Sequence, residues 1–227
     1  MTLLQRMEEV ERRIVAACER SGRRREDVHV VAVTKYVSLD MTGRVIHAGL
    51  KHIGENRWHH AEAKWNEFRE EACWHFIGSL QSKKAKDIVG KFDYIHSLDR
   101  VSLAEAIEKQ AQALDITVRC FIQVNVSGEV SKHGLAPDEV KPFLDKLSQY
   151  PHIEPIGLMT MAPYEAEPEE TRPVFRSLRQ LRNELNETRS IPLQHLSMGM
   201  SNDFEVAIEE GASWVRLGSI LVGQEGD

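Results

Sequence analysis

Lys35 is the residue with the most chemistry to offer. It ends the run Val28-His29-Val30-Val31-Ala32-Val33-Thr34-Lys35. A near-continuous apolar run of this length is a strand buried on both faces, so its terminal lysine stands at the edge of a dry interior. Two readings follow. The side chain reaches out to water, or the amine is held there as a nucleophile. A lysine forms a Schiff base with a carbonyl when burial or a nearby cation lowers its pKa, and Arg216 is a candidate for that cation.

Two loops suit an anion. Gly199-Met200-Ser201 leads into a helix whose free N–H groups and dipole favour negative charge. Leu217-Gly218-Ser219-Ile220 follows an apolar strand and opens a last short turn. Either alone is a cap or a turn. Together with one lysine they suggest a phosphorylated aldehyde or ketone. The remaining polar candidates are Glu55-Asn56, Gly78 with Gln81, His96-Ser97, Asn125 with Ser127-Gly128-Glu129, and Met159-Thr160. They hold no close Asp/Glu pair and no Cys–His pair, which argues against glycosidase and thiol-hydrolase chemistry. The ten histidines look scattered. His59 and His60 are adjacent and point apart on a helix, so no metal site is expected.

Those groups are far apart in the chain and need a frame that brings strand ends together. Strand and helix alternate about eight times after a first helix over residues 3–20. The predicted strands cover 28–34, 52–56, 74–78, 92–97, 118–126, 155–160, 195–198 and 214–217. Between them, Ser38 caps a helix closed by Gly49, Pro137 opens another, and a long one runs near Pro173 to Asn186. Such alternation makes a parallel sheet with right-handed crossovers. An open doubly wound sheet should carry a glycine fingerprint after its first strand, where this chain has Thr34-Lys35-Tyr36. The expected fold is therefore α/β: a single (β/α)8 TIM-type barrel with an extra N-terminal helix, one domain over residues 1–227. In a barrel the chemistry sits at the C-terminal ends of the strands, with a recurrent phosphate site after strands seven and eight.

Composition narrows the setting. The formal net charge is -6, which argues against a nucleic-acid surface. Arg23-Arg24-Arg25 reads as a solvated turn, and Glu165 to Glu170 as a solvated loop entering a helix. Cys18, Cys73 and Cys120 are odd in number and far apart, so no disulfide framework or zinc ribbon is indicated. The N-terminus becomes charged too early for a signal peptide, and no apolar stretch approaches the roughly 18 residues of a membrane span. The expectation is a cytoplasmic monomer that binds neither membrane nor nucleic acid.

Seven ordered blocks resemble one family. They are Val31 to Lys35, His52 to Asn56, His75 to Gln81, Val124 to Glu129 with Ser131 to Gly134, Gly157 to Thr160, Leu196 to Ser201, and Val215 to Ser219. Over essentially the whole chain they are similar to the pyridoxal 5′-phosphate homeostasis proteins, whose barrel resembles the N-terminal domain of alanine racemase. The resemblance implies pyridoxal 5′-phosphate (PLP) as cofactor, with Lys35 as the Schiff-base lysine. It implies Ser201, Gly218 and Ser219 around the phosphate, Arg216 near the pyridine ring, and Asn56 and Met198 beside the cofactor. No catalytic residue is implied, and the role is vitamin B6 homeostasis, with storage or delivery to apo PLP-dependent enzymes as partners. One departure is Lys83-Lys84, where family members often have asparagine before the lysine.

Two other readings remain open. One is a single-domain racemase-like enzyme that uses the same PLP lysine. The other is a Schiff-base aldolase on a sugar phosphate. The chain ends at Asp227, about ten residues after the eighth strand. The second domain with which racemases supply a catalytic tyrosine is therefore not expected. Tyr36 is expected to point away from Lys35, because neighbours on a strand face opposite sides. Lys132 is a surface lysine or a second amine.

Overall fold

The computed structural model describes residues 1–129, 133–163 and 166–223. Its centre is β1 (His29–Val33). Alternate residues of β1 serve two cores. Val30 and Ala32 pack outward into the main core beneath the helices, whereas Val31 joins a smaller cluster with Phe121, Met159 and Trp214. A strand buried on both faces has no polar positions to spare, which is why the run reads as continuously apolar.

Seven more parallel strands complete the sheet. They are β2 (His52–Glu55), β3 (Cys73–Phe76), β4 (Tyr94–Leu98), β5 (Val118–Gln123), β6 (Ile153–Met159), β7 (His195–Ser197) and β8 (Trp214–Leu217). They pair in chain order, and β8 closes on β1 with Val31 opposite Arg216 and Ala32 opposite Leu217. The eight-stranded barrel expected from the alternation is thus present. The register slips on β6, where Cys120 faces Pro155 but Phe121 faces Gly157. Pro155 has no N–H for the ladder, and a bulge is where a closed sheet accommodates that. At Gly157 a Cβ would land on the His195 carbonyl, so only glycine lets β6 and β7 approach.

The helices carry apolar stripes and identifiable caps. α1 (Leu3–Arg20) starts in a Thr2/Gln5 capping box and buries Val10, Ile14 and Ala17. It lies against α8 (Phe204–Glu209), with the Arg13–Glu205 ion pair at 2.6 Å along the seam. α2 (Leu39–His47) is capped by Ser38, whose hydroxyl accepts from the Met41 N–H at 3.1 Å. α3 (Trp58–Phe68), α4 (Ala85–Ile88), α5 (Val101–Leu114) and α6 (Val140–Leu147) follow their strands in turn. α9 (Ser219–Val222) follows β8.

Three local expectations change. Arg23 is not in a solvated turn: its guanidinium donates to the carbonyls of Ile208 and Ala212 at 2.8 and 2.6 Å, tying the end of α1 to the end of α8. Pro173 lies inside α7 (Pro168–Asn186) rather than at its start, because Pro168 already supplies the first-turn proline. β1 stops at Val33, one residue early, and Thr34 to Val37 form a turn closed by the Val37 N–H on the Thr34 carbonyl at 3.1 Å. No helix among the described residues is long and apolar enough to cross a membrane.

Candidate functional site

The strand tails of β1, β2, β7 and β8 meet at one end of the barrel. Lys35 leaves β1 there, half-buried. Its ammonium makes no hydrogen bond or ion pair with the described residues and lies 5.0 Å from the centre of the Tyr36 ring. The expectation that Tyr36 points away from Lys35 therefore fails. Strand alternation stops at Val33, and the turn that follows lays the exposed Tyr36 ring against the amine.

The backbone just before Lys35 is tied down from below. Lys64, on α3, is buried and donates to the Thr34 carbonyl at 2.6 Å and to Glu55 Oε1 at 2.9 Å. The Thr34 hydroxyl donates to the same carboxylate oxygen at 2.7 Å. This knot joins the ends of β1 and β2 to α3. Beside it Asn56 continues β2, and its buried Oδ1 has no hydrogen-bond partner among the described residues. Gly78, after β3, packs so closely on the Asn56 backbone that a Cβ there would overlap the Asn56 carbonyl.

The anion loops also converge. The N–H groups of Gly218 and Ile220 point at one atom, the Ser201 Oγ, at 3.3 and 3.5 Å. Two N–H groups that converge on one point can hold an anion, and Ser219 opens α9 between them. Gly199 has φ of +93°, which a side chain would strain, and a Cβ there would meet Ala207 Cβ at 2.6 Å. The preceding Met198 is fully buried. Asp203 is buried and accepts from the Met200 N–H at 2.6 Å, which holds this loop in shape. Burial pushes its carboxyl pKa up, against the pull of the Met200 N–H and Arg216.

Arg216 does not extend into solvent. Its guanidinium donates to the Ser197 hydroxyl at 2.6 Å and to the Thr160 carbonyl at 3.0 Å. Burial lowers its pKa to about 10, a cost that the Asp203 carboxylate partly offsets.

Behind Ser197 runs a feature that the sequence reading missed. Its hydroxyl meets His96 Nδ1 at 2.9 Å, His96 Nε2 meets His75 Nδ1 at 2.9 Å, and His75 Nε2 meets His52 Nδ1 at 3.0 Å. Three histidines that look scattered in sequence thus form one file through the barrel. His75 and His96 are fully buried. Desolvation keeps their pKa values well below the ordinary imidazole range, helped by His96 beside His75 and by Arg216 beside His96. Each ring stays neutral and passes one N–H along the file. Barrel interiors are ordinarily filled by branched apolar side chains. Here stacked rings share the space, His96 on Phe121 and His75 on Tyr94 at 4.4 and 4.6 Å.

Lys35, Asn56, Met198, Ser201, Arg216, Gly218 and Ser219 therefore all lie on or beside the strand tails of β1, β2, β7 and β8. Lys83 is exposed on the short 3-10 turn Ser82–Lys84. Lys132 falls outside the described residues. Lys64 is the site residue with no sequence signal beyond its nine-residue distance from Glu55.

Comparison with known proteins is consistent along the whole chain. The family model described as alanine racemase, N-terminal domain, matches residues 7–226. A protein from Aquifex aeolicus named pyridoxal phosphate homeostasis protein is 43% identical over 225 residues, covering 99% of each chain. The protein of the same name from Pseudomonas aeruginosa is 37% identical, covering 98% of this chain and 95% of its own. The structure of PipY from Synechococcus elongatus with PLP bound superposes with a TM-score of 0.82 at 32% identity, covering 98% of this chain and 100% of that one.

Proposed function

The chain belongs to the pyridoxal phosphate homeostasis protein family, and from that premise we propose that it binds PLP at the C-terminal mouth of its barrel and serves vitamin B6 homeostasis. The observation that carries the proposal is the Lys35 amine, half-buried at the mouth and without a hydrogen bond or ion pair among the described residues. An ammonium with no hydrogen-bond or ion-pair partner among the described residues, at the same mouth as two converging N–H groups, suits a ligand that brings both an aldehyde and a phosphate.

The residues fit the group. Ser201 with the N–H groups of Gly218 and Ile220 would take the phosphate, and Ser219 stands at the start of the same turn. The orphaned Asn56 Oδ1 supplies an acceptor beside Lys35. Met198 and Arg216 would lie behind the ring, Arg216 held by Ser197 and Thr160. When bound, PLP supplies an aldehyde that condenses with the Lys35 amine to a Schiff base and one water.

The role we assign is reversible holding, with delivery of the cofactor to apo PLP-dependent enzymes. Arg216 keeps a full positive charge at the site, which disfavours a second positive charge on a ring nitrogen and so weakens the ring as an electron sink. The curated relatives likewise carry a homeostasis name and not the name of an activity.

The test is spectroscopic. PLP added to the purified protein should produce the visible band of a Schiff base, and borohydride should fix the adduct on the peptide containing Lys35. Absence of the band, or its persistence in dialysed Lys35→Ala, would sink the assignment. Exchange of α-deuterium from an amino acid at about 1 s⁻¹ or faster would make the chain an enzyme. In that event Tyr36→Phe tests the hydroxyl-bearing ring that lies against Lys35 among the described residues.

A further inference from the structure

At the floor of the barrel, at the opposite end from Lys35, three metal-ligating side chains face one another. His52 opens β2, Cys73 opens β3, and the two are partners in the parallel register. His75 lies two residues beyond Cys73, so the pleat turns it to the same face. His52 Nδ1 and His75 Nε2 stand 3.0 Å apart. One ring nitrogen of each histidine and the Cys73 sulfur all lie within 4.8 Å of one another.

We infer that His52, Cys73 and His75 form a binding site for a divalent metal ion of the zinc class. Imidazole and thiolate together select zinc or cobalt over magnesium and calcium, which take oxygen ligands. Metal–nitrogen bonds of about 2.0–2.1 Å let both facing nitrogens reach one ion at close to a right angle, and a slight opening makes the arrangement tetrahedral. Metal-bound histidines ordinarily engage their second ring nitrogen in a hydrogen bond. His75 does so already, through Nδ1 on His96 Nε2 at 2.9 Å. A cavity of about 840 Å³ beneath α1, lined by His29, Lys51 and His52 among others, reaches the first of the three ligands.

The proton balance is simple. The proton shared by His52 and His75 moves to the other nitrogen of its own ring, and both imidazoles stay neutral. Cys73 loses its thiol proton to solvent, so one proton leaves for each ion bound. The ion then fixes the direction of the file: His75 Nδ1–H donates to His96, and His96 Nδ1–H donates to Ser197, the residue that holds Arg216. Occupancy of the floor would in this way be felt at the mouth.

Chelator-treated full-length protein titrated with cobalt(II) is the test. The expected result is one ion per chain, strong visible bands of a tetrahedral ion, and a near-ultraviolet thiolate-to-cobalt band, all displaced by zinc. Cys73→Ser should abolish the charge-transfer band, His52→Gln should weaken binding more than about tenfold, and Cys18→Ser should change neither. A wild-type spectrum without the thiolate band overturns the site whatever the variants do. So does a band that survives in Cys73→Ser.

Discussion

The ammonium of Lys64 donates to the carbonyl of Thr34 at 2.6 Å, so the residue immediately before Lys35 is anchored by a second, buried lysine. The two lysines divide the work. Lys64 is 7% exposed and shares its charge with a Glu55 carboxylate that is fully buried. Among the described residues Lys35 has neither acid nor carbonyl to hold it.

Removing Lys64 should therefore unfold what removing Lys35 leaves intact. Lys64→Met strands the Glu55 charge in the interior, and losing one partner of a buried pair costs about 3–5 kcal/mol. The double variant Lys64→Met/Glu55→Met should recover much of that loss. Urea unfolding of the two single variants and the double variant measures the coupling, and simple additivity would show that the pair is not the anchor we describe.

Lys35→Ala should leave stability within about 0.5 kcal/mol of the parent, as expected for a side chain with no hydrogen bond or ion pair to the described residues. The same variant should lose the Schiff-base absorbance and retain PLP only as a dialysable ligand. A large drop in Tm would mean that the amine carries a structural role.

Gly78→Ala probes the wall between β2 and β3. The new methyl would press on the Asn56 backbone, and overpacking of this kind costs about 1–3 kcal/mol. Because the displaced residue lies beside Lys35, PLP affinity should fall with stability, by about tenfold for each 1.4 kcal/mol lost from binding. Unchanged PLP titrations in a destabilised Gly78→Ala would remove Asn56 from the site.

The frame was legible because its signals are local. The apolar run to Val33, the Ser38 cap and Pro137 all act within a few residues of themselves. Once the frame is a barrel, strand ends are neighbours, and Lys35, Asn56, Arg216 and Gly218 follow. What stayed hidden depends on packing between elements. Lys64 reads as an ordinary charged residue on a helix, and only the docking of α3 buries it against Glu55. His52, His75 and His96 are spaced by the lengths of two strand–helix units, which no local period reveals. Tyr36 was misplaced for a different reason. Its orientation depends on where β1 stops, and the end of a strand is where alternation ceases to inform.

His195 gives a pH dependence with a definite sign. It is half-buried and shares Ser213 at 3.2 Å. Burial lowers its pKa below 6.5, with His29 of β1 and Arg182 of α7 adding like charge. The folded pKa is the depressed one, so the stability it protects is present above pH 6.5 and is lost as the pH falls and the unfolded chain takes up the proton first. Each such imidazole steepens the loss by at most about 1.4 kcal/mol per pH unit. His195→Gln should flatten the curve of unfolding free energy between pH 6.5 and 5, and an unaltered slope would assign the acid sensitivity to other groups.

Ser197 is the joint between the histidine file and Arg216, and its hydroxyl is what both lean on. Ser197→Ala leaves the Arg216 Nη1 and the His96 Nδ1 without their partner in a dry interior. An unsatisfied buried polar group costs about 1–3 kcal/mol, and more when charged, so a loss at or above the upper end is expected by chemical denaturation. The guanidinium keeps only the Thr160 carbonyl and is free to swing toward the mouth. The absorbance maximum of bound PLP should then shift, because the charge beside the ring has moved. Ser197→Thr, which keeps the hydroxyl, should restore the maximum even if its extra methyl lowers Tm. If Ser197→Ala leaves the spectrum unchanged while losing stability, Arg216 is a strut of the barrel and not a neighbour of the ring.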